Sequence, residues 1–400
     1  MWEQIRANRI RSAFIVVFMG LLLLAVGFAL GLYFFGSAEA GIAIALLVWF
    51  IMNLVALSQG DNILLALGKA HKIEKQDYPR LYNIVEEMTI ASGLPKMPDV
   101  YIIDDPALNA FATGRKPDKA AVAVTSGLLQ RLNRDELQGV IAHELGHIRN
   151  RDTMLMAIGG IMLGAIVILS WYATRIMFFG GMSGNRRSSS SGGGSGQIII
   201  LIVGLVLLIL APIAARLLYF ALSRKREYLA DASSALYTRY PEGLASALEK
   251  ISGSSQPLKS ANNATAPMYI INPFRKKGLA ASDLTSTHPP TSKRIQVLRS
   301  MSGASFNSYD QAFRQVAGRR GVVPQGALAA VAETPLRAGS TDTEAGAAAE
   351  AKRARDVGDV LWKKNQYRTV DCQCGARLRI PPGLGAESIR CPRCGTVHKL

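Results

Sequence analysis

The sequence predicts an α+β membrane protein that is mainly helical, with a small sheet, four transmembrane helices and a small cysteine-rich module near the C-terminus. Three observations support this prediction. Four long apolar runs lie between residues 13 and 222, a polar stretch between the second and third runs mixes helix and strand patterns, and all four cysteines lie after residue 371.

The four apolar runs span 13–35, 41–58, 154–179 and 198–222, and none contains an acidic residue. Each is as long as a membrane-crossing helix, or nearly so, since a hydrocarbon core needs about 20 residues. The second run is the shortest, and its alternative is a re-entrant or buried segment. The first run exceeds the roughly 7–15 apolar residues of a signal peptide, which favours a retained anchor.

Basic residues beside the runs predict the orientation, because short loops rich in Lys and Arg stay in the cytoplasm. The arginines before the first run place the N-terminus there, and each pair of crossings returns the chain to the same side. The Gly/Ser-rich loop 180–196 then faces the exterior, although Arg186 and Arg187 within it run against the charge rule.

The pentapeptide His-Glu-Leu-Gly-His occupies residues 143–147. Asn133 and Glu136 have the spacing of a capping box, which predicts that a helix starts just before it. Residues four apart share one helix face, so His143 and His147 can bind one metal ion while Glu144 reaches the attacking water. The pattern is a zinc-hydrolase signature.

A catalytic zinc site of this type needs a third protein ligand. Glu227 is the candidate, and Asp231, one helical turn later, can accept a hydrogen bond from a ligand histidine. The alternative is that Glu227 is an exposed carboxylate among basic neighbours, as charged runs usually are.

Between the second and third runs, 78–92 has helical spacing, while 100–103 and 121–124 are short apolar runs typical of strands. A small sheet beside the catalytic helix can hold a polypeptide as an added strand. Such binding depends on the substrate backbone, so we expect broad specificity.

The cysteines form two pairs separated by sixteen residues, Cys372 with Cys374 and Cys391 with Cys394. Each pair is followed by glycine, which is typical of a zinc ribbon, although the first pair is C-x-C instead of C-x-x-C. So small a unit would depend on its metal for stability. Disulfide pairing is the alternative, disfavoured in a reducing cytoplasm, and His398 could replace one sulfur.

The net charge of +17 suggests a nucleic-acid partner only at first sight. The basic residues concentrate in the cytoplasmic parts, where anionic lipid headgroups account for them. No basic stripe interleaved with aromatic residues is present, so the lipid bilayer is the expected partner and nucleic acid is not. The sequence carries no signal for an oligomeric state.

The stretches H-E-L-G-H-I-R-N-R-D, from His143, and S-R-K-R-E-Y-L-A-D, which contains Glu227, each adjoin a long apolar run. They resemble the HtpX-type membrane zinc metalloproteases, a bacterial heat-shock protease group related to the CAAX prenyl proteases. The resemblance extends to about residue 295. It implies a zincin-type metalloprotease domain with Glu227 as third zinc ligand and Glu144 as catalytic base.

Two further stretches resemble elements of that family. Asn109, Ala110, Phe111 and Ala112 correspond to a substrate-binding edge strand. The segment Thr-His-Pro-Pro contains His288, which by resemblance steadies the oxyanion; its alternative is a surface histidine that caps a Pro-rich turn.

The resulting domain prediction has six parts. They are a transmembrane hairpin, the first protease part, a second hairpin, the protease part with the third ligand, a linker too poor in large apolar residues to bury a core, and the ribbon. In that order their bounds are 1–60, 61–152, 153–223, 224–318, 319–365 and 366–400.

The predicted function is a multi-pass endopeptidase of the inner (cytoplasmic) membrane, with its active site and C-terminus in the cytoplasm. It would hold one catalytic and one structural zinc ion and cleave misfolded, unfolded or membrane proteins in quality control. The alternative is a membrane adaptor with a vestigial site, whose ribbon binds a protein or nucleic acid. A transporter is disfavoured, because the apolar runs contain no Asp, Glu or Lys to mark an ion pathway.

Overall fold

The computed structural model describes residues 2–179, 194–261, 265–271, 273, 288–318, 321–329, 334–340 and 346–400. Most of the predicted loop 180–196 lies outside the described residues. The helices are α1 Trp2–Phe35, α2 Ala38–Leu67, α3 Pro79–Ser92, α4 Ser126–Arg131, α5 Arg134–Arg149, α6 Asp152–Phe179, α7 Gly194–Thr238, α8 Pro241–Gly253, α9 Thr291–Arg299, α10 Phe306–Ala317, α11 Gln325–Leu328 and α12 Ala347–Lys364. The strands are β1 Ala70–Lys72, β2 Asp99–Ile103, β3 Ala110–Thr113, β4 Ala121–Thr125, β5 Arg368–Asp371, β6 Arg377–Ile380, β7 Ser388–Arg390 and β8 Val397–Lys399.

Each of the four apolar runs lies within one long helix: α1, α2, α6 or α7. Among the described residues, α2 alone is long and apolar enough to cross a membrane by length and composition, and a shorter apolar stretch covers Val16–Leu32. Four transmembrane helices therefore remain a prediction. The first two helices form a hairpin whose close approach requires glycine, since a Cβ at Gly31 would lie 2.6 Å from the Cα of Gly41.

A four-stranded mixed sheet lies against helices α4, α5 and α6, with strand order β1-β2-β4-β3. β2 and β4 run parallel, with Asp99 opposite Ala121, and the outer pairs are antiparallel. β2 and β4 contain the two short apolar runs that the sequence predicts as strands. The order leaves β3 at one edge of the sheet.

Helix α5 lies in the main hydrophobic core, and every residue from 135 to 148 is buried. Two glycines let it approach its neighbours closely. A Cβ at Gly139 would lie 2.6 Å from the backbone nitrogen of Leu244 on α8, and one at Gly146 would lie 3.0 Å from Cβ of Ser233 on α7. The helix with the His-Glu-Leu-Gly-His motif is therefore enclosed by packed side chains, which restricts its movement.

The expectation that 319–365 forms only a linker is wrong for its C-terminal part, where the structure has α12. Val357 and Val360 of this helix are buried in the main hydrophobic core. Composition misled here because α12 completes a core that other elements supply and needs only a narrow apolar stripe of its own.

Charged side chains attach the outer turns of α12 to α4 and to the loop that precedes α3. Lys363 and Lys364 donate to the carboxylate of Asp77 at 2.8 and 2.9 Å, and Arg131 on α4 pairs with Glu350 at 2.7 Å. These ion pairs draw the pKa of Asp77 below its usual value, although burial acts in the opposite direction. The helix is thus held along its length.

The C-terminal module consists of two antiparallel hairpins, β5 with β6 and β7 with β8. Arg377 and Arg379 on β6 pair with Asp359 on α12, and the guanidinium of Arg379 also lies 5.0 Å from the ring centre of Trp362. The module is therefore joined to the main hydrophobic core through α12.

Candidate metal centre and active site

The start of α5 is closed by the predicted capping box. The side chain of Asn133 accepts from the backbone nitrogen of Glu136 at 2.9 Å, and the carboxylate of Glu136 accepts in return from the backbone nitrogen of Asn133 at 2.9 Å. Two otherwise unsatisfied donors are paired in this way, so the helix begins at a defined residue. Its later turns then carry the metal-binding motif.

His143, His147 and Glu227 converge on one point from two helices, α5 and α7. The two Nε2 atoms lie 3.2 Å apart, and Glu227 oxygens lie 3.4 Å from that of His147 and 3.7 Å from that of His143. Tetrahedral zinc with ligand bonds of about 2.0–2.2 Å requires ligand atoms roughly 3.3–3.6 Å apart. The three side chains fit a zinc ion that keeps a fourth position open.

The outward nitrogen of each histidine faces a buried carboxylate. Nδ1 of His143 lies 3.0 Å from Asp231, and Nδ1 of His147 lies 3.0 Å from Asp152. A carboxylate at Nδ1 keeps the proton there and leaves the Nε2 lone pair for a metal ion. Asp231, one helical turn after Glu227, thus lies within hydrogen-bonding distance of a candidate ligand histidine.

Asp152 was missed by the sequence reasoning, although it ends the motif-bearing stretch from which the family resemblance was argued. Its placement depends on a backbone reversal at Arg151, whose φ is 61°. The chain turns there and begins α6, so Asp152 points back to His147. An aspartate five residues after the second histidine, just before an apolar run, was the signal that could have found it.

Arg294 on α9 follows the Thr-His-Pro-Pro segment of the family resemblance by four residues, but no role in the site was predicted for it from the sequence. It is fully buried, and it donates to both oxygens of Asp231 at 2.8 and 2.7 Å, while Nη1 lies 3.4 Å from Glu227. Burial lowers its pKa, but these carboxylates outweigh burial and raise it. Arg294 therefore stays charged and holds Asp231 against His143.

Burial and charge shift the pKa values of the metal-binding residues in opposite directions. Burial lowers the pKa of His147, but hydrogen bonds to Asp152 and Glu227 outweigh it and raise the value to about 10. For Glu227, burial raises the pKa, yet the nearby histidines lower it well below its usual value. Because the pKa of the histidine is raised and that of the carboxylate is lowered, binding of a metal ion at this cluster is expected to release protons.

Glu144 has a different environment. Both carboxylate oxygens are buried, and neither has a hydrogen-bond partner among the described residues. Burial raises the pKa of this carboxyl group. A buried carboxylate without a protein partner, adjacent to converging metal ligands, is the arrangement expected of a proton acceptor.

His288 is buried, which rules out the alternative of a surface histidine. Its Nε2 atom lies 3.9 Å from Glu227, and burial lowers its pKa to about 4. The imidazole is therefore neutral near pH 7 and beside the metal ligands. Thr287, the first residue of the same predicted segment, lies outside the described residues.

Of the predicted edge strand, Ala110 to Ala112 lie in β3 at the edge of the sheet and Asn109 directly precedes that strand, but residues 269–271 cover part of the edge. The backbone nitrogen of Ile270 donates to the carbonyl of Ala110 at 3.0 Å, and the side chain of Asn109 donates to the carbonyl of Ile271 at 3.1 Å. The rings of Phe111 and Tyr269 meet edge to face at 5.2 Å.

All four cysteines are free thiols that lie together in the C-terminal module. Their sulfur atoms all lie within 4.8 Å of one another, including pairs at 3.4 Å and 3.7 Å. Zinc held at about 2.3 Å by four sulfurs requires a separation of roughly 3.8 Å. The cluster fits such an ion, while His398 does not belong to it.

The comparisons with known proteins agree with this geometry. The sequence model of the family described as "Peptidase family M48" matches residues 75–302 of the chain. The chain is 47% identical to a Protease HtpX homolog of Dictyoglomus turgidum over 300 residues, which cover 75% of this chain and 94% of the relative. It is 46% identical to a Protease HtpX homolog of Lactobacillus acidophilus over 301 residues, 75% of this chain and 100% of the relative.

Among solved structures, the crystal structure of S. mikatae Ste24p matches with a TM-score of 0.39 and 19% identity, and covers 74% of this chain and 67% of that one. The matched family region contains every residue of the His143, His147 and Glu227 cluster. The chain therefore belongs to peptidase family M48 and is a membrane zinc metalloendopeptidase of the HtpX type.

Proposed function

We propose that the chain cleaves peptide bonds of unfolded, misfolded or membrane proteins at the cytoplasmic face of the inner membrane. The observation that carries the proposal is the convergence of His143, His147 and Glu227 beside Glu144, whose carboxylate has no hydrogen-bond partner in the described part of the chain. Zinc, when bound by these three side chains, lowers the pKa of a water molecule and polarises the scissile carbonyl.

Glu144 is proposed as the general base. It accepts a proton from the attacking water and passes that proton to the leaving amine. Its raised pKa supports both transfers, because a carboxyl group whose pKa is closer to neutral pH both accepts and releases a proton readily. Neutral His288 is proposed to donate a hydrogen bond to the oxygen that becomes negative during attack.

Asp152, Asp231 and Arg294 are proposed to orient the ligands. Asp152 and Asp231 hold the Nδ1 protons of the two histidines, and Arg294 fixes Asp231 with two parallel hydrogen bonds. The ligand atoms are thus positioned before any metal or substrate arrives, so the residues need little rearrangement during reaction.

The substrate is proposed to lie along β3 as an added strand, with Asn109 to Ala112 pairing to its backbone. Since residues 269–271 already pair with Ala110 and Phe111, this binding mode requires that they shift away from the edge. Backbone pairing would make recognition largely independent of substrate sequence.

The membrane arrangement is proposed from the helices around the site. α5 ends three residues before the apolar helix α6 begins. Asp61 near the end of α2 accepts from Thr113 on β3 at 2.9 Å. These contacts support a metal centre near the bilayer surface, with the four apolar runs as transmembrane helices and both ends of the chain in the cytoplasm.

The C-terminal module is proposed to hold a second, structural zinc ion through its four cysteines. Replacing Cys391, whose side chain is almost completely buried, with Ser is expected to unfold the module, because so small a unit buries few apolar side chains besides its cysteines. We expect metal analysis to show the loss of one bound zinc ion per chain. We expect the amide NMR signals of residues 366–400 to lose their dispersion and to become typical of a random coil. A module that keeps its zinc and its spectrum would contradict the assignment.

The proposed activity is tested by incubating the detergent-purified full chain with casein or a quenched unfolded polypeptide. We expect cleavage when zinc is bound at the histidine site. Cleavage should stop when a chelator removes the zinc and resume when zinc is restored. Cleavage that persists in the chelated protein would reject a zinc peptidase. Absence of cleavage from the zinc-loaded protein would reject unfolded polypeptides as substrates.

A further inference from the structure

Residues 334–340, here called the strap, lie beyond the region matched by the family, which ends at residue 302. The strap runs between the C-terminal end of α7 and the N-terminal end of α5. These are the two helices that hold the proposed metal ligands. Its contacts with both helices are made mainly by two side chains, Arg337 and Ser340.

Arg337 contacts both helices at once. Its backbone nitrogen donates to the carbonyl of Arg239 and its Nε to the carbonyl of Thr238, both at 2.9 Å and both at the end of α7. Its Nη2 donates to Asp135 at 2.7 Å and to Gln138 at 3.0 Å, both on α5. One guanidinium group therefore connects the last turn of one helix with the first turns of the other.

The remaining strap contacts also connect the strap to the end of α7 and to the start of α5. The backbone nitrogen and the hydroxyl of Ser340 both donate to Asp135 at 2.7 Å. Arg239 donates to the carbonyl of Pro335 at 3.1 Å, and the guanidinium of Arg337 lies 4.8 Å from the ring centre of Tyr240. With these donors and the strap nearby, the carboxylate of Asp135 is almost fully enclosed, at 8% side-chain exposure.

Asp135 and His147 are twelve residues apart on α5, a separation of about 18 Å along the helix. A tilt of only about 3° at the strap end would therefore displace the histidine ring by roughly 1 Å. Displacements of this size matter, since a site that is about 1 Å too loose loses much of its metal affinity and activity.

We propose that Arg337 is a positioning residue for the metal centre. It sets the relative orientation of α5 and α7, and so the spacing of His143 and His147 from Glu227. This inference rests on the proposed function, because it assumes that these three residues bind a metal ion. It also gives the C-terminal extension a role in the protease part that is separate from the ribbon.

The test compares the full chain with Arg337→Gln and Arg337→Lys in detergent. In the metal-free protein, amide hydrogen exchange in 135–142 and 230–238 is expected to rise about tenfold in Arg337→Gln. Zinc affinity at the histidine site is expected to fall about tenfold, a loss typical of replacing a residue that orients a metal ligand. The zinc affinity of the ribbon should not change. Arg337→Lys retains a positive charge that can face Asp135 but loses the second donor, which bonds the carbonyl of Thr238. Its hydrogen-exchange rates and zinc affinity should therefore lie between those of wild type and Arg337→Gln.

Cobalt substitution distinguishes the two metal sites, since thiolate and imidazole–carboxylate ligand sets absorb differently. The visible bands of the histidine site should shift in Arg337→Gln, whereas a merely structural change would leave them unaltered. The matched control is Arg131→Gln, which breaks another attachment of the extension, to Glu350, without touching α5 or α7.

The outcomes separate the two proposals. If wild type binds metal at the histidine site and Arg337→Gln matches it in exchange, affinity and cobalt spectrum, the positioning role is overturned. The same holds if Arg131→Gln reproduces every change, because the effect would then come from loosening the extension. If wild type binds no metal there, the proposed function fails and the positioning role fails with it, whatever the exchange data show.

Discussion

Replacing Glu144 with Gln is expected to reduce the turnover of an unfolded polypeptide by about 10²–10⁴-fold, the usual contribution of a general base. The amide retains the shape of the side chain but cannot accept the proton of the attacking water. Both Glu144 oxygens lack a partner among the described residues, so the change breaks no contact there. Zinc content and thermal stability should therefore stay close to those of wild type.

The measurement is single-turnover cleavage of a quenched substrate by wild type and variant at equal zinc occupancy. A matched control is Glu249→Gln, which removes the same charge at an exposed position, 61% exposed, that pairs with Arg299. The control should retain full activity. An active Glu144→Gln enzyme would remove Glu144 from the mechanism, whereas loss of activity together with zinc would mean that Glu144 contributes to metal binding instead.

Replacing Glu227 with Ala is expected to remove one of two zinc ions per chain and with it all measurable cleavage. The variant retains the two imidazoles but lacks the carboxylate that completes the site. Its zinc affinity should therefore fall by more than about 100-fold, which exceeds the loss expected for residues that only orient ligands. Arg294 would also lose a buried counter-charge at 3.4 Å, so a lower unfolding temperature is expected.

The ribbon would provide an internal standard for this experiment, because its proposed zinc ion is bound by four cysteines that are remote in sequence from the histidine site. Metal analysis after dialysis should fall from two zinc ions to one, with cobalt spectra showing that the thiolate site remains filled. Glu249→Ala controls for the loss of a surface carboxylate. A Glu227→Ala protein that retains two zinc ions would show that another residue completes the site.

Local spacing explains which parts of the site were accessible from sequence. His143, Glu144 and His147 lie within one stretch of helix, and a capping box defines where that helix begins, so neighbouring residues determine their common face. Asp231 could be placed because it is one turn from Glu227. The four cysteines were also predictable, since short spacings and flanking glycines are enough to identify a ribbon.

Residues that reach the site from distant elements were less accessible. Arg294 is a buried arginine in a helix with other basic residues, and its pairing with Asp231 depends on how α9 packs against α7. The burial of α12 was missed for a similar reason, because Val357 and Val360 contribute to a core that is built mostly by other parts of the chain.

The sequence by itself determined the membrane-associated class, the metal-binding helix, the candidate third ligand and the ribbon, because each depends on residues close together in the chain. Only the tertiary structure decided that Glu227 meets the two histidines, that Asp152 and Arg294 belong to the same cluster, and that Arg337 joins the ends of α5 and α7. These contacts result from packing between helices separated by many residues. No local pattern encodes the angle at which two such helices cross.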